Sequence, residues 1–233
     1  MSTIDIGLMQ MQLSELAMRS GAAKIGFADL SMASHPSTQE MPVGISLVKP
    51  MNRAIVLSGG DCAFNEHQVQ QREEMDSISS KLGDLLAQNG YCWYPVRNNT
   101  VDQMRLTGEL SHKMVAVLAG LGWIGKSALL ITPEYGPGVR VATVLTDAPF
   151  QTSTNFAASQ CGGCLFCVEA CPVGAITGRD WRIDGSRNDL IDAVLCNSYR
   201  IRMGRGLGRK YSCACCLQAC PIGAERAGDR AKP

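Results

Sequence analysis

The sequence predicts an α/β domain followed by a small cysteine-rich domain, and three observations carry that reading. Helix-spaced and strand-like apolar patterns alternate through about residue 150. From about Ala157 onward that periodicity gives way to short segments between cysteines. Nine of the eleven cysteines lie between Cys161 and Cys220. The boundary is expected between Phe150 and Gln160, dividing the chain into residues 1–155 and 156–233.

In the first part, Met9, Leu13, Leu16 and Ala17 make one face of a helix, and Lys24 to Ala28 reads as a short strand. A loop is expected from Ser31 to about Pro50, then a buried strand over Arg53 to Leu57 that ends at Gly59 and Gly60. Met75, Ile78, Leu82, Leu85 and Leu86 keep helical spacing up to the stop signal Asn89-Gly90, and Tyr91 to Val96 reads as the next strand. A third helix is expected over Leu106, Leu110, Met114, Val117 and Leu118, and Val139 to Thr146 is a strong strand. Two or three layers of sheet and helix follow from this order.

Composition narrows the function. The chain is 45% hydrophobic and 18% charged, as in an ordinary globular protein. No apolar run reaches the roughly 18 residues of a membrane span, and Met1 to Asp5 lacks a secretory signal, so a cytoplasmic protein with no membrane partner is expected. A net charge of +1 gives no overall field for nucleic acid. One basic group stands out: Arg200, Arg202, Arg205, Arg209 and Lys210. It reads either as a solvated loop that offsets negative charge nearby or as a patch for phosphate or an acidic partner.

A reducing compartment disfavours structural disulfides, so the clustered cysteines point to metal. Cys161, Cys164, Cys167 and Cys171 stand in C-x2-C-x2-C-x3-C-P, in which the first three cysteines bind one 4Fe-4S cubane and the fourth serves a second. Cys213, Cys216 and Cys220 form C-x2-C-x3-C-P, with Cys196 upstream as the missing ligand. The segments after Cys171 and Cys220, Pro-Val-Gly-Ala and Pro-Ile-Gly-Ala, repeat one another. These spacings assign one cluster to Cys161, Cys164, Cys167 and Cys220, and the other to Cys171, Cys196, Cys213 and Cys216. A pair of zinc sites is the competing reading. Cys215, between two ligands, leaves a register swap open. Cys62 and Cys92 read as small core residues.

The segment AGLGWIGKS satisfies both G-x-G-x-x-G and the P-loop pattern, but a P-loop follows a strand, and here a helix is expected before it. The glycines then mean a close backbone approach, either to a flat cofactor or within a tight helix-to-strand turn anchored by Trp123. His35, His67 and His112 have no partners at ligand spacing and read as surface or helix-cap residues, with His112 the best placed for a role.

The run SHKMVAVLAGLGWIGKSALLITPEYGPGVRVATVLTDAPF, followed by CGGCLFCVEACPVGAI and CACCLQACP, resembles the core of epoxyqueuosine reductase and, more distantly, the C-terminal half of reductive dehalogenases. The resemblance implies an α/β (α+β) nitroreductase-like N-terminal domain that binds cobalamin, followed by a ferredoxin-like double 4Fe-4S cluster domain that feeds it electrons. It makes Gly120, Gly122, Trp123, Gly125, Lys126 and Ser127 candidates for lining the corrin, with Val141 to Leu145 beneath. The family's catalytic acid, counted back from the glycine loop, falls at Leu106 or Thr107, with Asp102 and Glu109 off register, so the catalytic residue is left unassigned. The family's helical-repeat extension beyond the clusters has no counterpart before Pro233, and tRNA is not expected as a partner. What the resemblance implies is a reductase that takes electrons from a donor such as ferredoxin or flavodoxin and passes them through cobalamin to a small organic substrate. The alternative is a non-catalytic electron-transfer module that reduces a partner corrinoid or flavin protein.

Overall fold

The computed structural model describes residues 5–31, 36–58, 62–97, 106, 108–154 and 156–223. His35, Gly59, Gly60, Asp102 and Thr107 lie outside the described residues. Helix α1 (Ile6–Arg19) opens on Asp5, whose carboxylate accepts from the backbone N–H groups of Gly7 and Leu8, and buries Met9, Leu13 and Ala17. Strand β1 (Lys24–Asp29) follows, then helix α2 (Pro36–Glu40), strand β2 (Val43–Pro50) and helix α3 (Arg53–Ser58).

The segment between Ser31 and Pro50, expected as a loop, thus holds β2, while the expected strand from Arg53 to Leu57 is helical. Both departures have a physical reason. Residues Val43 to Val48 are all buried, because helices cover both faces of the sheet, so the alternation that marks a half-buried strand is absent. In α3 only Val56 is buried, and Asn52 Oδ1 accepts from Ile55 N at 3.3 Å to start the turn. A five-residue apolar run does not by itself distinguish helix from strand.

Helix α4 (Cys62–Gln88) buries Met75, Ile78, Leu82 and Leu86 and stops at Gly90, where φ is +81°. Its Gly83 lies under the Trp93 ring; a Cβ there would come within 2.2 Å of the ring. Strand β3 (Trp93–Pro95) precedes helix α5 (His112–Leu118), which starts where Ser111 caps Met114 N rather than at Leu106. Short strands β4 (Trp123–Ile124) and β5 (Leu130–Ile131) pair as a hairpin, and β6 (Val139–Thr146) completes the main sheet.

That sheet is antiparallel throughout, in the order β1-β2-β6-β3. On one face α1 and α4 pack against Phe27, Ile45, Leu47, Ala142 and Val144; on the other α5 packs against Ala28, Val48 and Leu145. The result is three layers, with helices on both faces of the sheet. Beyond β6 come helix α6 (Phe166–Glu169), helix α7 (Ala193–Leu207) and helix α8 (Cys215–Gln218). Among the described residues no helix is long and apolar enough to cross a membrane.

Candidate cluster sites and the adjoining cavity

The two cysteine-bearing turns repeat in backbone as well as in sequence. Leu165 before α6 has φ −127° and ψ 10°, and Ala214 before α8 has φ −121° and ψ 5°. After the helices, Ala170 and Ala219 match within a few degrees, at φ −74°, ψ −10° and φ −72°, ψ −13°. Gly174 and Gly223 then both take positive φ, +62° and +78°. Two such turns, packed through α6 and α8, make the pseudo-twofold pair that the repeated C-P-x-G motif implies.

The electrostatic neighbourhoods of the thiols divide into two sets. Cys167 is pushed up by burial and then by Cys161, Cys164 and Cys220; Cys220 is pushed up by burial and by Cys161 and Cys164, against a backbone hydrogen bond from Ile222. Cys196 is pushed up by burial and, against the pull of Arg200, by Cys213 and Cys171. Cys216 is pushed up to about 12, mostly by burial and then by Cys213, Cys196, Cys167 and Cys171. The influence of Cys167 on Cys216 links the two sets, which lie side by side. Among the described residues no three His, Cys, Asp or Glu side chains close on a single ion. In a cubane each thiolate binds a separate iron, so its ligands stand wider apart than those around one ion.

Backbone donors face the thiols: Ala175 N donates to Cys171 Sγ at 3.3 Å. Cys215 is tied to Cys213 through both its backbone N–H and its thiol. Cys62 and Cys92 are exposed rather than in the core, a correction to the expectation from residue type. For Cys92 the strand pairing explains it: residues 91 and 92 lie ahead of β3, and Cys92 N donates outward to Asp147 Oδ1 at 2.8 Å.

The glycine loop lies against the first set. Gly120 takes φ +74° in the turn out of α5, so a helix precedes the loop and the P-loop context is missing. A Cβ on Gly122 would stand 2.2 Å from the Ile131 carbonyl oxygen; one on Gly125 would meet Ile131 Cδ1 at 2.3 Å and Cys161 Sγ at 3.2 Å. Trp123 is 3% exposed and anchors the turn. Lys126 and Ser127 are buried, and Lys126 Nζ donates to the Gly162 carbonyl at 2.6 Å.

A cavity of about 960 Å³ opens between α4, β6 and the cysteine-rich part. Leu129, Leu130, Val139 and Val141 give it apolar wall, and Arg97, His112, Lys113, Arg140, Arg187 and Arg200 line it with cationic or ionisable side chains. None of Gly120, Gly122, Trp123, Gly125, Lys126 and Ser127 is in that lining; the glycine loop reaches the cavity only through the residues that follow it. Leu106 lines it too, an apolar side chain where the catalytic acid was counted.

His112 was expected at the surface or in a cap. Instead it is the first residue of α5 and turns inward, with Nδ1 2.9 Å from Thr143 Oγ1 and Nε2 buried without a partner. Burial pushes its pKa down to about 4, against an opposing pull from Glu109. Burial likewise lowers Lys113 to about 8. Glu109 itself is held by Tyr94 Oη at 3.1 and 3.0 Å and by Arg97 N at 2.9 Å. His67, expected at the surface or in a cap, accepts from Asn52 N at 3.0 Å, at the start of α3.

A three-layer α/β domain joined to a paired-turn cysteine module defines an iron-sulfur class of protein. Residues 160–223 match the family described as the 4Fe-4S double cluster binding domain. The epoxyqueuosine reductase of Listeria monocytogenes is 44% identical over 105 residues, 45% of this chain and 25% of that protein. An epoxyqueuosine reductase solved with a modified tRNA stem loop superposes with a TM-score of 0.62 at 22% identity, covering 95% of this chain and 67% of that one. A catabolic reductive dehalogenase solved with 3-bromo-4-hydroxybenzoic acid superposes with a TM-score of 0.73 at 18% identity, covering 91% of this chain and 31% of that one.

The chain shares the fold of these solved reductases, an α/β domain followed by a double 4Fe-4S cluster domain, and is similar to the curated epoxyqueuosine reductases over part of its length. Its matched segment spans a quarter of the curated relative's length. That solved relative holds a tRNA stem loop, a partner not expected for this chain from its sequence.

Proposed function

We propose that this chain is an iron-sulfur reductase that moves single electrons through two 4Fe-4S clusters to a corrinoid held in the cavity, and on to a small organic substrate. In this reading residues 1–155 form the corrinoid-holding domain and 156–233 the two-cluster domain. The observation that carries it is the division of eight thiols into two sets of four, each drawing a ligand from the opposite turn. Cys161, Cys164, Cys167 and Cys220 hold one cluster; Cys171, Cys196, Cys213 and Cys216 hold the other.

The donor set fits clusters, because buried thiols that repel one another as thiolates are relieved when iron takes their charge. The cavity fits a large flat ring. Its volume lies at the upper end of the ~300–1,000 Å³ of ligand sites, with apolar strand residues on one wall and polar groups around. A bound corrinoid supplies a metal centre that accepts single electrons and delivers them to the substrate. The chain's own residues position it: Val139 and Val141 offer the wall, and His112, pinned on Thr143, fixes one side. The reductases among the relatives support the reaction class, and a solved reductive dehalogenase with a B12-dependent mechanism supports the corrinoid.

Anaerobic protein reconstituted with iron, sulfide and hydroxocobalamin tests this directly. About eight iron and eight sulfide per chain are expected, together with stoichiometric cobalt whose spectrum is base-off. Zinc in place of iron would overturn the whole reading. Iron and sulfide without cobalt would leave an electron-transfer module.

A further inference from the structure

Arg140 on β6 and Arg200 on α7 line the cavity together with Lys210 and Ser212. Each guanidinium has an Nε that is buried and without a hydrogen-bond partner. Arg140 engages Gln68 through Nη2, at 3.1 Å to the carbonyl and 3.0 Å to Oε1. Arg200 Nη2 reaches Ser212 Oγ at 3.4 Å, long for a hydrogen bond. Burial pushes the Arg140 pKa down, and Arg72 and Arg200 add to it, so three guanidiniums repel one another here.

No carboxylate among the described residues pairs with Arg140 or Arg200, and the one anion felt at Arg200 is the Cys196 thiolate. Glu66 and Glu73 also line the cavity, but among the described residues neither is ion-paired, and Glu74 is bound to Lys49 at 3.0 Å. His67, lowered first by burial, feels the positive charge of Arg140 and Lys49 as well as the negative charge of Glu74. Buried cations without acceptors are costly, and a ligand that brings acceptor oxygens removes the cost. Guanidinium forks with free N–H groups match the oxygens of a phosphate group.

We infer that the Arg140 and Arg200 end of the cavity is a subsite for a phosphate group, with Lys210 beside it. Two kinds of ligand bring such a group. One is the phosphodiester in the nucleotide tail of a corrinoid, a source that rests on the function proposed above; the other is a phosphorylated small substrate, which does not. The basic stretch before the last cysteines is thereby divided, with Arg200 and Lys210 serving the cavity.

The test uses the full chain reconstituted with iron and sulfide. Inorganic phosphate is titrated calorimetrically against sodium chloride at matched ionic strength, in the wild type and in Arg140→Gln, Arg200→Gln and Arg140→Lys. Phosphate is expected to bind the wild type, at least tenfold more weakly to either glutamine variant, and nearly normally to Arg140→Lys. Melting by circular dichroism checks that each variant is folded; should Arg140→Gln unfold, Arg200→Gln, with fewer internal bonds, decides. Absence of phosphate binding in the wild type, or binding in both glutamine variants as tight as in the wild type, overturns the inference.

Cobalamin and cobinamide, which lacks the tail phosphate, then separate the sources. A tenfold loss in the glutamine variants for cobalamin alone assigns the subsite to the corrinoid tail. Unchanged affinity for both corrinoids, with phosphate still binding the loaded protein, assigns it to a substrate. Phosphate binding without affinity for either corrinoid keeps the subsite and removes the corrinoid.

Discussion

Lys126 Nζ donates to the carbonyl oxygen of Gly162 at 2.6 Å, joining the glycine loop to the turn between Cys161 and Cys164. The lysine that completes a P-loop pattern in the sequence therefore binds backbone, and its partner is the candidate cluster turn. Lys126 is only 6% exposed, so its loss removes a charge-assisted bond from a buried side chain to the exposed Gly162 turn.

Lys126→Met is accordingly expected to lower stability by about 1.5–3 kcal/mol, the range for a hydrogen bond to a charged group. It is also expected to loosen iron at the Cys161 site. Urea midpoints and iron content after gel filtration check both. An unchanged midpoint with full iron would mean that the bond is incidental.

Cys220 lies more than fifty residues from Cys161, Cys164 and Cys167, yet its thiol is pushed up by Cys161 and Cys164. Cys220→Ser is expected to remove about four of the iron atoms and to abolish the signal of the Cys161 cluster, leaving its sequence neighbours Cys213 and Cys216 loaded. Electron paramagnetic resonance of the stepwise reduced protein reads this. Loss of only the other cluster would refute the crossed arrangement.

Gly136 and Gly223 meet where the α/β domain touches the end of the cysteine-rich part. A Cβ on Gly136, at φ +57°, would stand 1.9 Å from the Ile222 carbonyl oxygen, whereas one on Gly174, at φ +62°, would meet nothing within 4 Å. The two substitutions thus separate strain from crowding. Gly174→Ala is expected to cost about 1–2 kcal/mol for the left-handed backbone alone. Gly136→Ala should cost roughly 1–3 kcal/mol more from overpacking, and should displace Cys220 two residues before Ile222. Paired melting curves, with iron content, measure the difference; equal costs would show that the contact yields freely.

The sequence was legible where a pattern had one physical cause. The helix ending at Asn89-Gly90, the strand from Val139 and the repeated turns after Cys171 and Cys220 each follow from period, stop signal or ligand spacing. It was illegible where burial erased the pattern: Val43 to Val48 sit between two helical layers and show no alternation. The cavity was beyond sequence reading because its lining residues on α4, β6 and α7 stand more than fifty residues apart from one element to the next. Arg140 read only as part of a strand, and what singles it out is its nearness to Arg72 and Arg200. The glycine loop was read as touching something bulky, and the structure puts Ile131 and Cys161 there.

His112 gives the fold a dependence on acid. Its folded pKa of about 4 lies below the ordinary 6.5, first because of burial. The folded protein therefore keeps the imidazole neutral while the unfolded chain binds a proton from about pH 6.5 downward. The stability linked to this residue is complete above pH 6.5, declines as pH falls, and is fully lost once pH passes below about 4. At roughly 1.36 kcal/mol per pH unit the whole loss is about 3 kcal/mol. His112→Gln removes the titration, so urea unfolding of the two proteins between pH 7 and pH 4 should give a gap that changes by about that amount, in the variant's favour at low pH. A gap that stays constant over this window would mean that His112 is protonated at no cost, and that its inward Nε2 finds a partner in solution.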